Sequence, residues 1–225
     1  MLKNELNKLY SQVRKSGDSG SYLLREIVEK KVLPSLEKSI NCHKNNPAAL
    51  NKLIKLMTEI QEFCNSKAAD RFKFQGLIAP VHGDPTFENL QIQKNTNLIY
   101  MLDPIGKMIE PSYNIFSFEI FSYPVFDLAR LELSYQFNYE QAGILCKAQS
   151  DLGVFELEEL PLQLDNLGPS ITETVIGEAY KDFYTQNLPI VLVLTLGRIL
   201  KYKSNALEVQ YLADCALKIL GNIKN

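Results

Sequence analysis

One polar loop, set between two stretches of β-type sequence, constrains this chain more than any other feature. Gly76-Leu77-Ile78-Ala79-Pro80-Val81 is a short apolar, strand-like run that delivers His82-Gly83-Asp84-Pro85-Thr86-Phe87-Glu88-Asn89. Leu90 to Gln93 then alternates as a strand, Lys94 to Asn97 has turn residues, and Leu98 to Leu102 returns to end on Asp103-Pro104. Alternating apolar residues around an asparagine-containing turn are a hairpin signal. The hairpin would return Asp103 to the side of Asn89, so two carboxylates (Asp84, Asp103) and a carboxamide (Asn89) converge. That donor set suits Mg²⁺, which takes few carboxylates and fills its octahedron with substrate phosphates and water. Taken alone, His82-Gly83-Asp84 is also an ordinary turn, with Gly for the bend and Asp bonding nearby backbone.

The flanks read as helix. Leu2, Leu6, Leu9, Tyr10 and Val13 keep a helical spacing, and Ser16 to Ser21 breaks it. That Gly-Ser stretch lacks the order of a phosphate-cradling P-loop. Tyr22 to Leu33 continues helical to Pro34, with Leu36 and Ile40 resuming, and Leu50 to Phe63 makes a third amphipathic helix. His43 lies in the polar turn from Asn41 to Pro47 and is expected on the surface. Lys67 to Gln75 reads as a charged connector. Beyond the hairpin, Ile105 to Pro124 is an aromatic, irregular flap. A helix then runs from Phe126 to Phe137, where Asp127 is placed to cap free N–H groups and Arg130 to pair with Asp127 or a phosphate. Tyr139 to Ala148 is helical and Leu152 to Pro169 an acidic connector. Helices follow at about 170–186, 189–202 (Pro189 in the first turn) and 206–220. Arg198, Lys201 and Lys203 form a basic cluster near a helix end.

The loop residues resemble the aminoglycoside phosphotransferase and choline kinase group of small-molecule kinases. Four pieces carry the resemblance in the right order: His82-Gly83-Asp84, Asn89, Asp103-Pro104 and Asp127-Leu128-Ala129, over roughly residues 80–131. A D-x-x-x-x-N catalytic loop places a base and a Mg²⁺ ligand at this spacing. The resemblance implies Asp84 as catalytic base, with His82 in the same loop as a structural or catalytic residue. It implies Asn89 and Asp103 as Mg²⁺ ligands, Asp127 as a buried carboxylate bracing the loop, and ATP or GTP as phosphate donor. Glu110 and Arg198 are candidate acceptor contacts.

The expected fold class is α+β, mainly α: the helical C-terminal lobe of a protein-kinase-like fold, with a small β-hairpin carrying the site. No N-terminal β lobe is legible, since neither a glycine-rich strand pair nor a strand lysine precedes the loop. Residues 1–225 are expected as one domain, with a helical segment at 1–75, the loop, hairpin and flap at 76–131, and a second helical segment at 132–225.

Composition narrows the function classes. A formal charge of −2 gives no field to gather nucleic acid. With only His43 and His82, a His-rich zinc site has too few ligands. Four cysteines without a C-x-x-C pair, and no signal peptide at the start, fit reduced thiols in a cytoplasm. Leu188 to Gly197 is apolar but shorter than the about 20 residues a membrane span needs. Three readings follow. The chain is a phosphotransferase acting on a hydroxyl of a small molecule, with a sugar of surface-polysaccharide synthesis suggested by the Asp103-Pro104-Ile105-Gly106 version of the motif. Alternatively it is a degenerate half-kinase that only binds, or a subunit of a split kinase completed by a separate polypeptide.

Overall fold

The computed structural model describes residues 20–72, 79–93, 98–102, 121–122, 124–137, 139–151 and 178–224. The helix expected at 2–16, the connector at 152–169, most of the flap, and Asp103 and Glu110 lie outside them. The architecture is mainly helical, with two short antiparallel ribbons.

Helix α1, Gly20–Ile27, runs without a break into a π turn, Val28–Val32, and then α2, Leu33–Cys42. Pro34 lacks an N–H and its ring crowds the preceding turn. The widened turn absorbs both, as π turns do inside helices. Helix α3, Pro47–Asn65, starts on Asn46, whose side chain accepts from the Ala49 amide at 3.0 Å. A 3₁₀ turn, Lys67–Arg71, occupies part of the stretch expected as a plain connector. His43 is buried, and its Nε2 lies 2.9 Å from the Lys203 carbonyl. Surface placement was the expectation. The polar neighbours of His43 in sequence do not reveal that the chain end of another helix lies across it.

After the loop come β2, Leu90–Gln93, and β3, Leu98–Met101, paired Leu90↔Met101 through Gln93↔Leu98. Ahead of the loop, β1, Ala79–Pro80, pairs antiparallel with β4, Phe121–Ser122. That pairing was not legible, because two residues at the end of an irregular aromatic stretch carry no alternation to read.

Helix α4 spans Val125–Gln136, α5 Tyr139–Asp151, α6 Glu178–Ile199 and α7 Ala206–Lys224. Two helices meeting near Pro189 were expected. One helix passes through it instead, because Ile190 to Leu196 on the far side is buried on nearly every face and holds the helix in place by packing. The main packings are α3 on α7, α4 on α6 and α6 on α7. Their buried side chains, from Leu23 to Ile223, form one apolar cluster. Gly197 lies inside that packing. A Cβ there would sit 2.8 Å from Val32 Cγ1, so only glycine lets α6 approach the π turn this closely. Lys52–Asp214 at 2.5 Å and Lys224–Glu59 tie α3 to α7 at the surface. No helix among the described residues is long and apolar enough to cross a membrane.

The cysteines give a direct check on this core. Cys42 is exposed, while Cys64, Cys146 and Cys215 are buried and none is in a disulfide. Burial lifts the thiols from their ordinary 9.0 to about 11 for Cys64, about 11 for Cys146 and about 12 for Cys215. Since the thiolate is the reactive form, a disulfide reagent at neutral pH should titrate one thiol rapidly, and all four only after denaturation. The raised values also set a sign. The unfolded chain releases these protons near pH 9 and the folded one only at about 11–12. Their contribution to stability is therefore complete below pH 9 and is lost as pH rises through that window.

Candidate functional site

The site is built on a clamp between the loop and the first turns of α4. Asp127, fully buried, accepts two backbone hydrogen bonds, from the His82 amide to Oδ2 and the Gly83 amide to Oδ1, both at 2.7 Å. The β1–β4 pairing tethers the two segments that meet here. Gly83 has φ of 91°, a conformation that favours glycine. It is what allows two successive amides to point at one carboxylate. The capping position of this helix is Pro124, which supplies no side-chain cap. Of the two roles expected for Asp127, the bonds to the His82 and Gly83 amides are those of a loop brace. The first turn of a helix still favours a carboxylate electrostatically.

The loop closes through its own side chains. The Asp84 amide donates to His82 Nδ1 at 3.3 Å, and Asn89 Nδ2 donates to the Asp84 carbonyl at 2.8 Å. His82, 4% exposed, therefore works within the loop scaffold. A 3₁₀ turn, Phe87–Asn89, is fixed by the Asn89 amide on the Thr86 carbonyl at 2.9 Å. The Leu102 amide donates to the Asn89 carbonyl at 2.8 Å, joining the far end of the hairpin to the loop. Asp103, the following residue, lies outside the described residues, as does Glu110.

With its backbone held on both sides, Asp84 presents its side chain to Arg130. The Arg130 Nε lies 3.4 Å from Asp84 Oδ1, with side chains 13% and 24% exposed. Residues three apart share a helix face, so one face of α4 grips the loop twice: Asp127 holds the amides and Arg130 meets the carboxylate. Pairing of Arg130 with Asp127 or a phosphate was the expectation. The geometry gives it Asp84, because both Asp127 oxygens already face amides. The i, i+3 spacing was the available signal.

Arg198 lies in the last turn of α6. Burial, and then the charge of Arg130, push its guanidinium below its ordinary value, with Tyr202 and Asp84 acting in the opposite sense. The basic cluster read from sequence is otherwise divided. Lys201 lies over the Tyr202 ring at 4.8 Å. Lys203 pairs with Glu208 at 2.7 Å and lies 4.1 Å from the Tyr139 ring centroid. Burial opposes the charge of Lys203, but the bonds with Glu208 and Tyr139 outweigh it and raise the ammonium above its ordinary value.

The described residues therefore bring together His82, Asp84, Asn89, Asp127 and Arg130. No cluster of three His, Cys, Asp or Glu suited to a metal occurs among them. The donor end of the Asn89 carboxamide is committed to the loop, so its oxygen is the end available to a cation. A carboxamide oxygen is a ligand that suits a Mg²⁺ ion taking most of its ligands from phosphate and water. No protein-family model, curated protein or solved structure matches the chain.

Proposed function

We propose that this chain is a phosphotransferase that moves the γ-phosphoryl group of ATP or GTP to a hydroxyl of a small molecule, a sugar in surface-polysaccharide synthesis being the acceptor its motif suggests. The carrying observation is the braced loop. Asp127 on the His82 and Gly83 amides, together with Asn89 on the Asp84 carbonyl, fixes the backbone that carries the Asp84 side chain. Phosphoryl transfer asks of a protein mostly positioning and charge stabilisation, and such a loop supplies the first. Asp84 orients the acceptor hydroxyl and takes its proton. Asn89 and Asp103 would hold Mg²⁺, which when bound neutralises charge on the transferred phosphoryl group. Asp127 is a positioning residue.

A second reading is favoured by one observation. Residues 20–72 are helical throughout, with no strand pair among them to cover a nucleotide. The chain would then act as a binding half-kinase, or with a β lobe supplied by another polypeptide. Calorimetric titration of ATP with and without Mg²⁺ tests the proposal. Metal-dependent binding supports the phosphotransferase, and no binding by the isolated chain followed by binding with a β-lobe partner supports the split form. Binding indifferent to metal sinks both.

A further inference from the structure

We propose that Arg130 is a positioning residue for the base: its guanidinium anchors Asp84 Oδ1 and leaves Oδ2 to take the proton of the acceptor hydroxyl. That role rests on the phosphotransferase reading; the ion pair itself does not.

The two atoms that meet are both buried. Arg130 Nε and Asp84 Oδ1 lie 3.4 Å apart, and neither has a hydrogen-bond partner among the described residues. A charged group taken out of water needs a partner, and here the ion pair supplies it. The Asp84 side chain as a whole is still 24% exposed. With Oδ1 buried, that exposure falls on the rest of the side chain, whose other end atom is Oδ2. The carboxylate is therefore held by one oxygen, and the second is the one an acceptor can reach.

Backbone and carboxylate of Asp84 are referred to a single element. Asp127 accepts the amides of the two residues before Asp84, and Arg130, three positions further along the same helix, meets the carboxylate. Around Arg130 that helix is held by packing: Leu128, Ala129 and Leu131 are fully buried, and α4 packs on α6. A planar guanidinium carried on a packed helix holds a direction better than an ammonium on a flexible stem.

The loop bonds do not fix that direction. They use the Asp84 amide and carbonyl, so without Arg130 the carboxylate is free to change rotamer while the loop stays in place. In the transfer step the acceptor oxygen bonds to the γ-phosphorus, the bond from that phosphorus to the ADP oxygen breaks, and the hydroxyl proton passes to Oδ2. A misplacement of about 1 Å in such a geometry can cost about 10²-fold in rate.

The test is a double-mutant cycle on the whole chain, read as ADP release from Mg²⁺·ATP with water and with glucose as acceptors. Arg130→Gln is expected to lower kcat on the order of tenfold to a hundredfold, with KM for ATP within about twofold of wild type. Arg130→Lys, which keeps the charge but not the planar fork, should recover part of the loss. In an Asp84→Asn background, Arg130→Gln should cost little more, because the group it positions is gone. Unliganded melting checks that each variant folds, and Arg130→Lys carries the cycle where Arg130→Gln does not fold. A residue that only packs the helix would leave kcat unchanged in folded variants, or give losses that add across the cycle; either result overturns the proposal. The Arg130 Nε–H resonance gives a readout without turnover: it should move in Asp84→Asn, and a resonance unmoved by that change also overturns the proposal. Absence of turnover in the wild type removes the phosphotransferase reading and this role with it. Turnover that survives Arg130→Gln within about twofold removes this role alone.

Discussion

Replacing Asp127 by alanine is expected to lower the unfolding free energy by about 3–5 kcal/mol, the largest loss for any single polar residue in the site. Two buried amides, His82 and Gly83, lose their acceptor together. Each orphaned donor costs about 1–3 kcal/mol, and bonds to a charged acceptor stand at the upper end. For a chain of this length that corresponds to a fall in melting temperature on the order of 10 °C. Asp127→Asn keeps one acceptor oxygen and turns an amine toward the other amide, so its loss should be intermediate. Thermal unfolding of the three proteins reads the order directly. Hydrogen exchange adds location, since the His82 and Gly83 amides should exchange faster in Asp127→Asn while α3 and α7 stay protected. A loss below about 1 kcal/mol for the alanine variant would mean that the loop does not depend on this clamp.

Asp84→Asn separates chemistry from architecture. The backbone of Asp84 makes the loop bonds, its amide to His82 Nδ1 and its carbonyl from Asn89 Nδ2, so an isosteric side chain leaves them in place. The cost in stability should be about 1–2 kcal/mol, between the limits for exposed and buried pairs, because Arg130 loses its partner. Turnover is expected to fall by about 10²–10⁴, the range for losing a positioned general base. The assay is ADP release from Mg²⁺·ATP with water or a sugar as acceptor. Turnover within about twofold of wild type would remove Asp84 from the base's role. The contrast between the two aspartates matters more than either value: Asp127 should be read mainly in stability and Asp84 mainly in rate.

How much of this was legible in the residues differs from place to place. The loop and hairpin were, because D-x-x-x-x-N spacing and an asparagine-bearing turn are local signals, and β2 and β3 pair as the alternation implies. The α3 and α7 stripes were legible for the same reason, since helical spacing of Leu53, Leu56 and Ile60 is a local pattern that burial then uses. The failures are non-local. His43 is buried by a carbonyl from residue 203, a partner 160 residues away that no window contains. The continuous helix through Pro189 reflects burial on several faces, which outweighs a propensity read from one residue. The Asp84–Arg130 pair depended on Asp127 being occupied elsewhere, so Arg130 was assigned to its neighbour in sequence and not to the loop. Arg198 was readable as a basic residue near a helix end, and it lies in the last turn of α6.

A phosphotransferase of this design must receive a metal-bound nucleotide at Asn89, on the braced loop. Replacing Mg²⁺ by paramagnetic Mn²⁺ and following nitrogen–proton spectra in the presence of ATP reads that contact residue by residue. The Asn89 carboxamide and the Gly83 and Asp84 amides should broaden away, while the Asn46 carboxamide at the start of α3 stays sharp. Spectra in which Asn89 is untouched at saturating Mn²⁺ and ATP, or in which Asn46 and Asn89 fade alike, would contradict it.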